Sequence, residues 1–257
     1  MRPCPATAGA ALVLALGIAA PGVLQAAWTT YEGAAVSLRD GSPAYTERHF
    51  VLREPAGPVE RLVLYLCPDG EAFARKRVRY ADSPFAPAFE LHDGRDGYRE
   101  GARRQDDTLW LFSRTPGGRE REGRVALDPE LVADAGFDEF VRRHWDRLVE
   151  GERLALRFAL PARGEAYRFR VQRVPGTADE LRVRLQLRGV LSLFADGIDV
   201  AYDLHDRRLL RYEGLSNLRD DEGRQAAVRI DFPEPARPAG EDRVEAARRQ
   251  ELGACSG

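Results

Sequence analysis

The sequence predicts a mainly β protein: one curled antiparallel sheet, a barrel or half-barrel of about ten or more strands, with one amphipathic helix across it and a short C-terminal helix. Three observations support this fold class. Apolar and polar residues alternate with period two, Gly and Pro clusters separate the alternating runs, and one long segment has helical spacing. Because successive side chains of a strand point to opposite faces, each run predicts one buried and one exposed face. So many strands do not fit a flat sheet.

The candidate strands fall into two groups on either side of the helical segment. The clearest is 181–188, where leucine and valine alternate with arginine and glutamine. A register slip of one residue would bury the arginines, so the pairing is strongly specified. His205-Asp206-Arg207-Arg208 separates two runs and predicts a hairpin. The earlier group comprises 28–38, 46–53, 61–66, 72–80, 98–102, 108–114 and 121–127, and the later group comprises 154–160, 167–171, 181–188, 198–204, 210–212 and 228–232.

The helical segment runs from Phe137 to Val149, with apolar residues three and four positions apart. Its apolar face includes Phe140 and Trp145, and Gly151 follows as a stop. Such a helix can lie across one face of the sheet.

The chain begins with the order of residues that is typical of a secretory signal peptide. Arg2 precedes an uncharged apolar run at 10–20, and small residues lead to a predicted cleavage after Ala26. We therefore predict a signal peptide at 1–26, a single β-rich domain at 27–232, and a Pro-rich linker with a C-terminal tail at 233–257. The linker is expected to be stiff, and a short weak helix is expected from Glu241 to Leu252. Export predicts a periplasmic protein.

Two cysteines, Cys67 and Cys255, remain after the predicted cleavage. In an oxidising compartment they can form a disulfide that fastens the tail to the strand at 61–66. The alternative is two separate thiols. Cys4 precedes the apolar run and is therefore misplaced for a lipid-acceptor cysteine, so we expect a soluble mature chain without a transmembrane segment.

Composition and motifs exclude several classes of function. The net charge of -2, with arginines interleaved among acidic residues, makes nucleic acid a poor partner. Metal-ligand motifs, phosphate-binding glycine loops and serine nucleophile elbows are absent from the sequence. The sequence therefore predicts no catalytic residue, no metal ligand and no cofactor. His92-Asp93-Gly94-Arg95-Asp96-Gly97 does not fit a calcium loop and is interpreted as a turn.

Three segments carry a resemblance to a known group: Tyr65 to Lys76, Gly97 to Gly101 and Gly214 to Asp220. They are similar to a group of uncharacterised exported proteobacterial proteins, over nearly all of the mature chain. This resemblance implies a periplasmic location and no activity. The strand pattern is more distantly similar to the lipoprotein-carrier and lipid-binding half-barrel folds of the bacterial envelope, which is an analogy of fold.

Lys76 is the only lysine among 39 basic residues. Alternation places it on one strand face with Ala74, Val78 and Tyr80. If this face is inward, the ammonium needs a carboxylate or a ligand as its partner; alternatively, Lys76 reaches water at a sheet edge. The candidate ligand-binding residues are Lys76, Tyr80, Phe140 and Trp145.

The leading hypothesis is a non-catalytic envelope protein that holds a lipid or another apolar or amphiphilic molecule inside the curved sheet. One alternative is a hydrolase that uses carboxylates from separate loops, such as Asp93 and Glu100. The other alternative is an assembly or scaffold protein whose outer surface binds envelope components. A protein partner cannot be identified from the sequence.

Overall fold

A computed structural model describes Met1 and residues 27–81, 83–189, 197–220 and 222–255. Residues 2–26 of the predicted signal peptide lie outside these residues. The described chain is mainly β, as predicted, with one large sheet and three short helices. The strands are β1 (Ala27–Ser37), β2 (Pro43–Glu54), β3 (Gly57–Leu66), β4 (Ala72–Arg79), β5 (Ala88–Asp93), β6 (Arg99–Gln105), β7 (Thr108–Arg114), β8 (Glu120–Ala126), β9 (Leu131–Ala133), β10 (Leu154–Leu160), β11 (Glu165–Arg173), β12 (Glu180–Leu187), β13 (Ile198–Asp203), β14 (Leu209–Arg219), β15 (Gln225–Asp231) and β16 (Arg237–Pro238). The helices are α1 (Gly136–Arg143), α2 (Trp145–Val149) and α3 (Glu241–Arg249).

The sheet has its first strand at the centre. Its order is β8-β7-β6-β5-β4-β3-β2-β1-β15-β14-β13-β12-β11-β10-β9, and β16 adds to β1. Neighbouring strands are antiparallel except β9 and β10, which are parallel. The pair of β1 and β15 therefore joins a half made from the first part of the chain to a half made from the last part.

The two ends of this strand order approach each other without a hydrogen-bonded closure among the described strands. A Cβ placed on Gly123 of β8 would lie 1.8 Å from the carbonyl oxygen of Gly164, in the turn between β10 and β11. Arg157 of β10 also donates hydrogen bonds to the carbonyl oxygen of Ala126, the last residue of β8, and to the carboxylate of Asp128 just after this strand. The backbone contact at Gly123 requires a residue without a side chain.

Alternation sorts the strand residues between two faces, as the sequence predicts. On β3, Val63 and Tyr65 belong to one buried cluster, and Leu62 and Leu64 belong to another on the opposite face. We call the face that carries Val63 and Tyr65 the inner face. On the same side lie the buried residues Ala74 and Val78 of β4, and Tyr80, which directly follows this strand.

The predicted helix at 137–149 is two helices rather than one. His144 separates α1 from α2 with φ -104° and ψ 23°, outside helical geometry. The backbone N–H of His144 donates to the carbonyl oxygen of Phe140 at 3.1 Å, and the Nδ1 atom of His144 lies 2.9 Å from the same oxygen. Trp145 then starts α2 and packs edge-on against Tyr202. The apolar faces of α1 and α2 pack on β10 to β13, as expected for helices that cover a sheet face.

The C-terminal tail is fastened to the opposite face. Val244 and Ala247 of α3 pack against Leu62 and Leu64. Cys67 and Cys255 form a disulfide with a Cα–Cα distance of 5.5 Å, which confirms the predicted bridge. Arg75 donates to the carbonyl oxygens of Ala247, Arg248 and Gln250. A positive group at these carbonyls matches the dipole of a helix C-terminus.

Candidate functional site

The inner face carries ionisable side chains at positions where the alternation predicts apolar ones. Each member lies on a strand, in the turn between β9 and α1, or in the first turn of α1. We call this set the interior charge cluster; its members are Glu47, His49, Arg61, Lys76, Asp134 and Asp138. Buried charges are costly unless they are paired, so each pairing bears on what the site can do.

Lys76 points inward and donates to Asp134, with 2.8 Å between Nζ and Oδ1. The side chain of Lys76 is 12% exposed and that of Asp134 is 2% exposed. Burial by itself lowers the pKa of Lys76, but the charges of Asp134 and Glu47 outweigh burial and raise it. Lys76 is thus a cation inside the fold, and of the two alternatives left open by the sequence the structure has the paired, inward one.

Asp134 has a left-handed backbone conformation, with φ 45°. Aspartate tolerates this conformation better than most residues, but it is still uncommon outside glycine. The turn places the carboxylate between β9 and α1, directly opposite Lys76 of β4. Local backbone geometry therefore helps to position the buried partner of Lys76.

Arg61 of β3 and Arg142 of α1 share the carboxylate of Asp138. The distances are 2.8 Å from Arg61 Nη2 to Oδ2 and 3.0 Å from Arg142 Nε to Oδ1. Burial raises the pKa of Asp138, but the two guanidinium groups outweigh it and lower the pKa to about 2. Arg53 of β2 forms a second ion pair with α1, in which its two Nη atoms donate to the two carboxylate oxygens of Glu139. These ion pairs join α1 to the edge of the inner face.

His49 and Glu47 are successive inward residues of β2. His49 Nε2 lies 2.8 Å from Glu47 Oε2, and the imidazole ring stacks on Tyr31 with 4.6 Å between ring centres. Burial lowers the pKa of His49, although the hydrogen bond and charge of Glu47 oppose this effect. His49 is therefore neutral at pH 7 and can accept a hydrogen bond at one ring nitrogen.

Several buried polar atoms of this region have no hydrogen-bond partner among the described residues. They are His49 Nδ1, Arg61 Nε, Tyr80 Oη and Asp134 Oδ2. Native proteins satisfy nearly all such groups, so a concentration of four on one face needs an explanation. Of these four residues, Arg61 also lines the cavity described next, and the other three do not.

A cavity of about 260 Å³ opens at the end of the inner face, next to α1. We call it the mouth cavity. Tyr31, Val51 and Leu209 give it an apolar wall. Its charged lining consists of Arg53, Arg61, Arg142 and Arg208 with Asp138, Asp206 and Glu234. A site with an apolar wall and convergent cations suits an amphiphile with an acidic end.

The four predicted ligand-binding residues all lie on the buried side of this region, but none of them lines the mouth cavity. Tyr80 and Lys76 are near Arg61, since its charge affects the pKa of both groups. Phe140 and Trp145 are 4% and 5% exposed and pack in the cluster beneath the helices. Their part in ligand binding stays a prediction.

The carboxylates considered for hydrolysis are engaged in the core. Asp93 ends β5 and receives three hydrogen bonds from Arg95, which confirms the turn that was predicted there. Glu100 of β6 accepts from Tyr98 and Asn217, and burial raises its pKa despite these bonds. Neither residue lines the mouth cavity.

Five members of the interior charge cluster were not predicted from the sequence as site residues: Glu47, His49, Arg61, Asp134 and Asp138. A signal was present for the first three, because they occupy inward positions of the alternating runs at 46–53 and 61–66. Asp134 had no such signal, since β9 and the turn after it are too short to show a period.

Compared with protein-family models and with curated protein sequences, the chain gives no match. None of the helices in the described residues has the length and apolar character needed to cross a membrane.

Proposed function

We propose that the protein is a non-catalytic, exported protein of the periplasm that binds an amphiphilic ligand at the mouth cavity. In this proposal the sheet is a half-barrel, α1 covers its open end, and the chain is soluble after removal of residues 1–26. The approach of Gly123 to Gly164 supports the half-barrel, because it requires the two ends of the strand order to curl towards each other.

The observation that carries the proposal is the position of Arg61 at the cavity. Arg61 is buried, pairs with Asp138 at one nitrogen, and has no partner at Nε among the described residues. An acidic head group at the cavity would meet this guanidinium together with Arg208, while an acyl chain would lie along Val51 and Leu209. Lys76 and Tyr80 lie behind Arg61 and would complete the polar end of the site.

The hydrolase alternative has weaker support, because Asp93 and Glu100 are held by hydrogen bonds away from the mouth cavity. No contact among the described residues specifically favours the scaffold alternative.

Two measurements test the proposal. Native mass spectrometry of the freshly purified mature protein should show an adduct of the mass of a lipid. Calorimetric titration with dodecanoate should show binding that acetate does not reproduce, because acetate lacks the apolar chain.

Arg208→Gln should weaken dodecanoate binding by about tenfold, the loss expected for one charge-assisted contact. Arg229→Gln is the matched control, because Arg229 lies on β15, pairs with Asp231 and does not line the cavity. An absent adduct together with no dodecanoate binding would refute the proposal, and equal losses in both variants would remove the mouth cavity as the site.

A further inference from the structure

A second cavity, of about 330 Å³, lies at the opposite end of the sheet from the mouth cavity. Its lining comes from the turns β7–β8, β10–β11 and β14–β15 and from the strand ends beside them, and we call it the turn cavity. β14 connects the two ends: Leu209 lines the mouth cavity and Arg219 lines the turn cavity. A strand of 11 residues spans about 35 Å, so the two cavities are separate sites.

The turn cavity has an unbalanced charge. Arg119, Arg121, Arg163 and Arg219 line it, and no carboxylate is among the described lining residues. None of these four arginines forms an ion pair with a described residue. The mouth cavity differs, since three carboxylates offset the charge of three of its four arginines. Because arginine stays protonated, the turn cavity has a permanent positive charge.

Arg219 is held in place before any ligand binds. Its guanidinium lies over the ring of Tyr98, 4.3 Å from the ring centre, and Nη1 donates to the carbonyl oxygen of Gly223 at 2.6 Å. Tyr98 is itself fixed by its hydrogen bond to Glu100. A guanidinium with a fixed plane loses little freedom when it binds an anion. The buried residue Ser113 adds a hydroxyl to the same lining.

We infer that the turn cavity is an anion site that binds a phosphate group. Four arginines around one cavity match a dianion with several oxygen acceptors better than they match a single carboxylate. The volume exceeds that of one small ion and is near the lower end of about 300 to 1,000 Å³ for ligand sites, so the phosphate group can belong to a larger molecule. Two sources share this chemistry: a free phosphate compound and the head group of a lipid.

The experiment uses the mature chain at low salt, where screening is weak. One arm titrates inorganic phosphate and glycerol 3-phosphate by calorimetry. The other arm measures co-sedimentation with phosphatidylcholine vesicles with and without phosphatidic acid. The test variant is Arg121→Gln with Arg163→Gln, and the control is the pair Arg124→Gln with Arg168→Gln. The control removes the same charge at exposed positions outside the cavity: Arg124 lies on β8, as Arg121 does, and Arg168 lies on β11, which follows the turn that carries Arg163.

The inference predicts that the test variant weakens binding by about 100-fold or more, as expected for two lost charge-assisted contacts, and that the control changes it by about twofold or less. Loss in the titration arm identifies a free compound, and loss in the vesicle arm alone identifies a lipid head group. Absence of binding in both arms, or equal weakening in test and control variants, would overturn the inference. Circular dichroism melting of all variants verifies that they are folded.

Discussion

Replacing Lys76 by methionine should destabilise the fold by about 3 to 5 kcal/mol, the cost of breaking a buried ion pair by removing one partner. The structure favours the full cost, because Asp134 is almost completely buried and its Oδ2 already lacks a partner among the described residues. Removal of Lys76 would leave the other oxygen, Oδ1, without its donor as well. Methionine keeps most of the apolar length of lysine, so the lost charge dominates the change.

The assay is urea unfolding at pH 7, followed by tryptophan fluorescence. The double variant Lys76→Met with Asp134→Asn should recover most of the loss and lie within about 1.5 kcal/mol of wild type, because no uncompensated charge then remains. Asparagine is chosen because it tolerates the positive φ of residue 134. Arg79→Met is the control, since Arg79 is exposed on the same strand and should change stability by about 0.5 kcal/mol or less. A cost for Lys76→Met no larger than that of the control would refute this account of the buried pair.

Three further predictions test other parts of the fold. The double variant Cys67→Ser with Cys255→Ser opens a covalent loop whose ends are 188 residues apart. The chain-entropy model predicts that the free energy of unfolding in urea falls by about 5 kcal/mol, and a fall below about 1 kcal/mol would contradict it. The pKa of Asp138, about 2, lies below the unfolded value of about 3.9, so its ion pairs stabilise the fold above pH 4. This stability, about 2.5 kcal/mol, is lost as the pH falls towards 2. Asp138→Asn should make the stability less dependent on pH in that window, and an unchanged slope would argue against the pairing with Arg61 and Arg142. Gly123→Ala should lower stability by about 1 to 3 kcal/mol, because its Cβ meets the backbone of Gly164, while Glu122→Ala beside it should be nearly neutral.

The strands were predictable where alternation was long. The run at 154–160 coincides with β10, and the run at 108–114 coincides with β7. β5 was missed although Phe89 and Leu91 alternate with Glu90 and His92, because prolines on its N-terminal side and the turn at 93–97 leave only six residues of pattern. Short strands such as β9 have no period to detect.

The site was less predictable than the fold. The sequence singled out Lys76 by its rarity, and alternation placed it inward, but its partner Asp134 is 58 residues away and comes from a turn. The same limit applies to Arg61 and Asp138, which meet only because α1 crosses the sheet. Pairings of this kind depend on the path of the whole chain, and no local spacing encodes them.

The strand order also bears on how the chain reaches its native state. β1 is the first strand to be synthesised among those described, yet its neighbour β15 is almost the last. Until β15 arrives, one hydrogen-bonding edge of β1 is open, in the middle of what becomes the finished sheet. Pairing between strands so far apart in sequence slows folding, and an open strand edge can pair with another chain in the meantime. The β1–β15 pair therefore leaves the polypeptide open to edge-to-edge aggregation until the last part of the chain has folded.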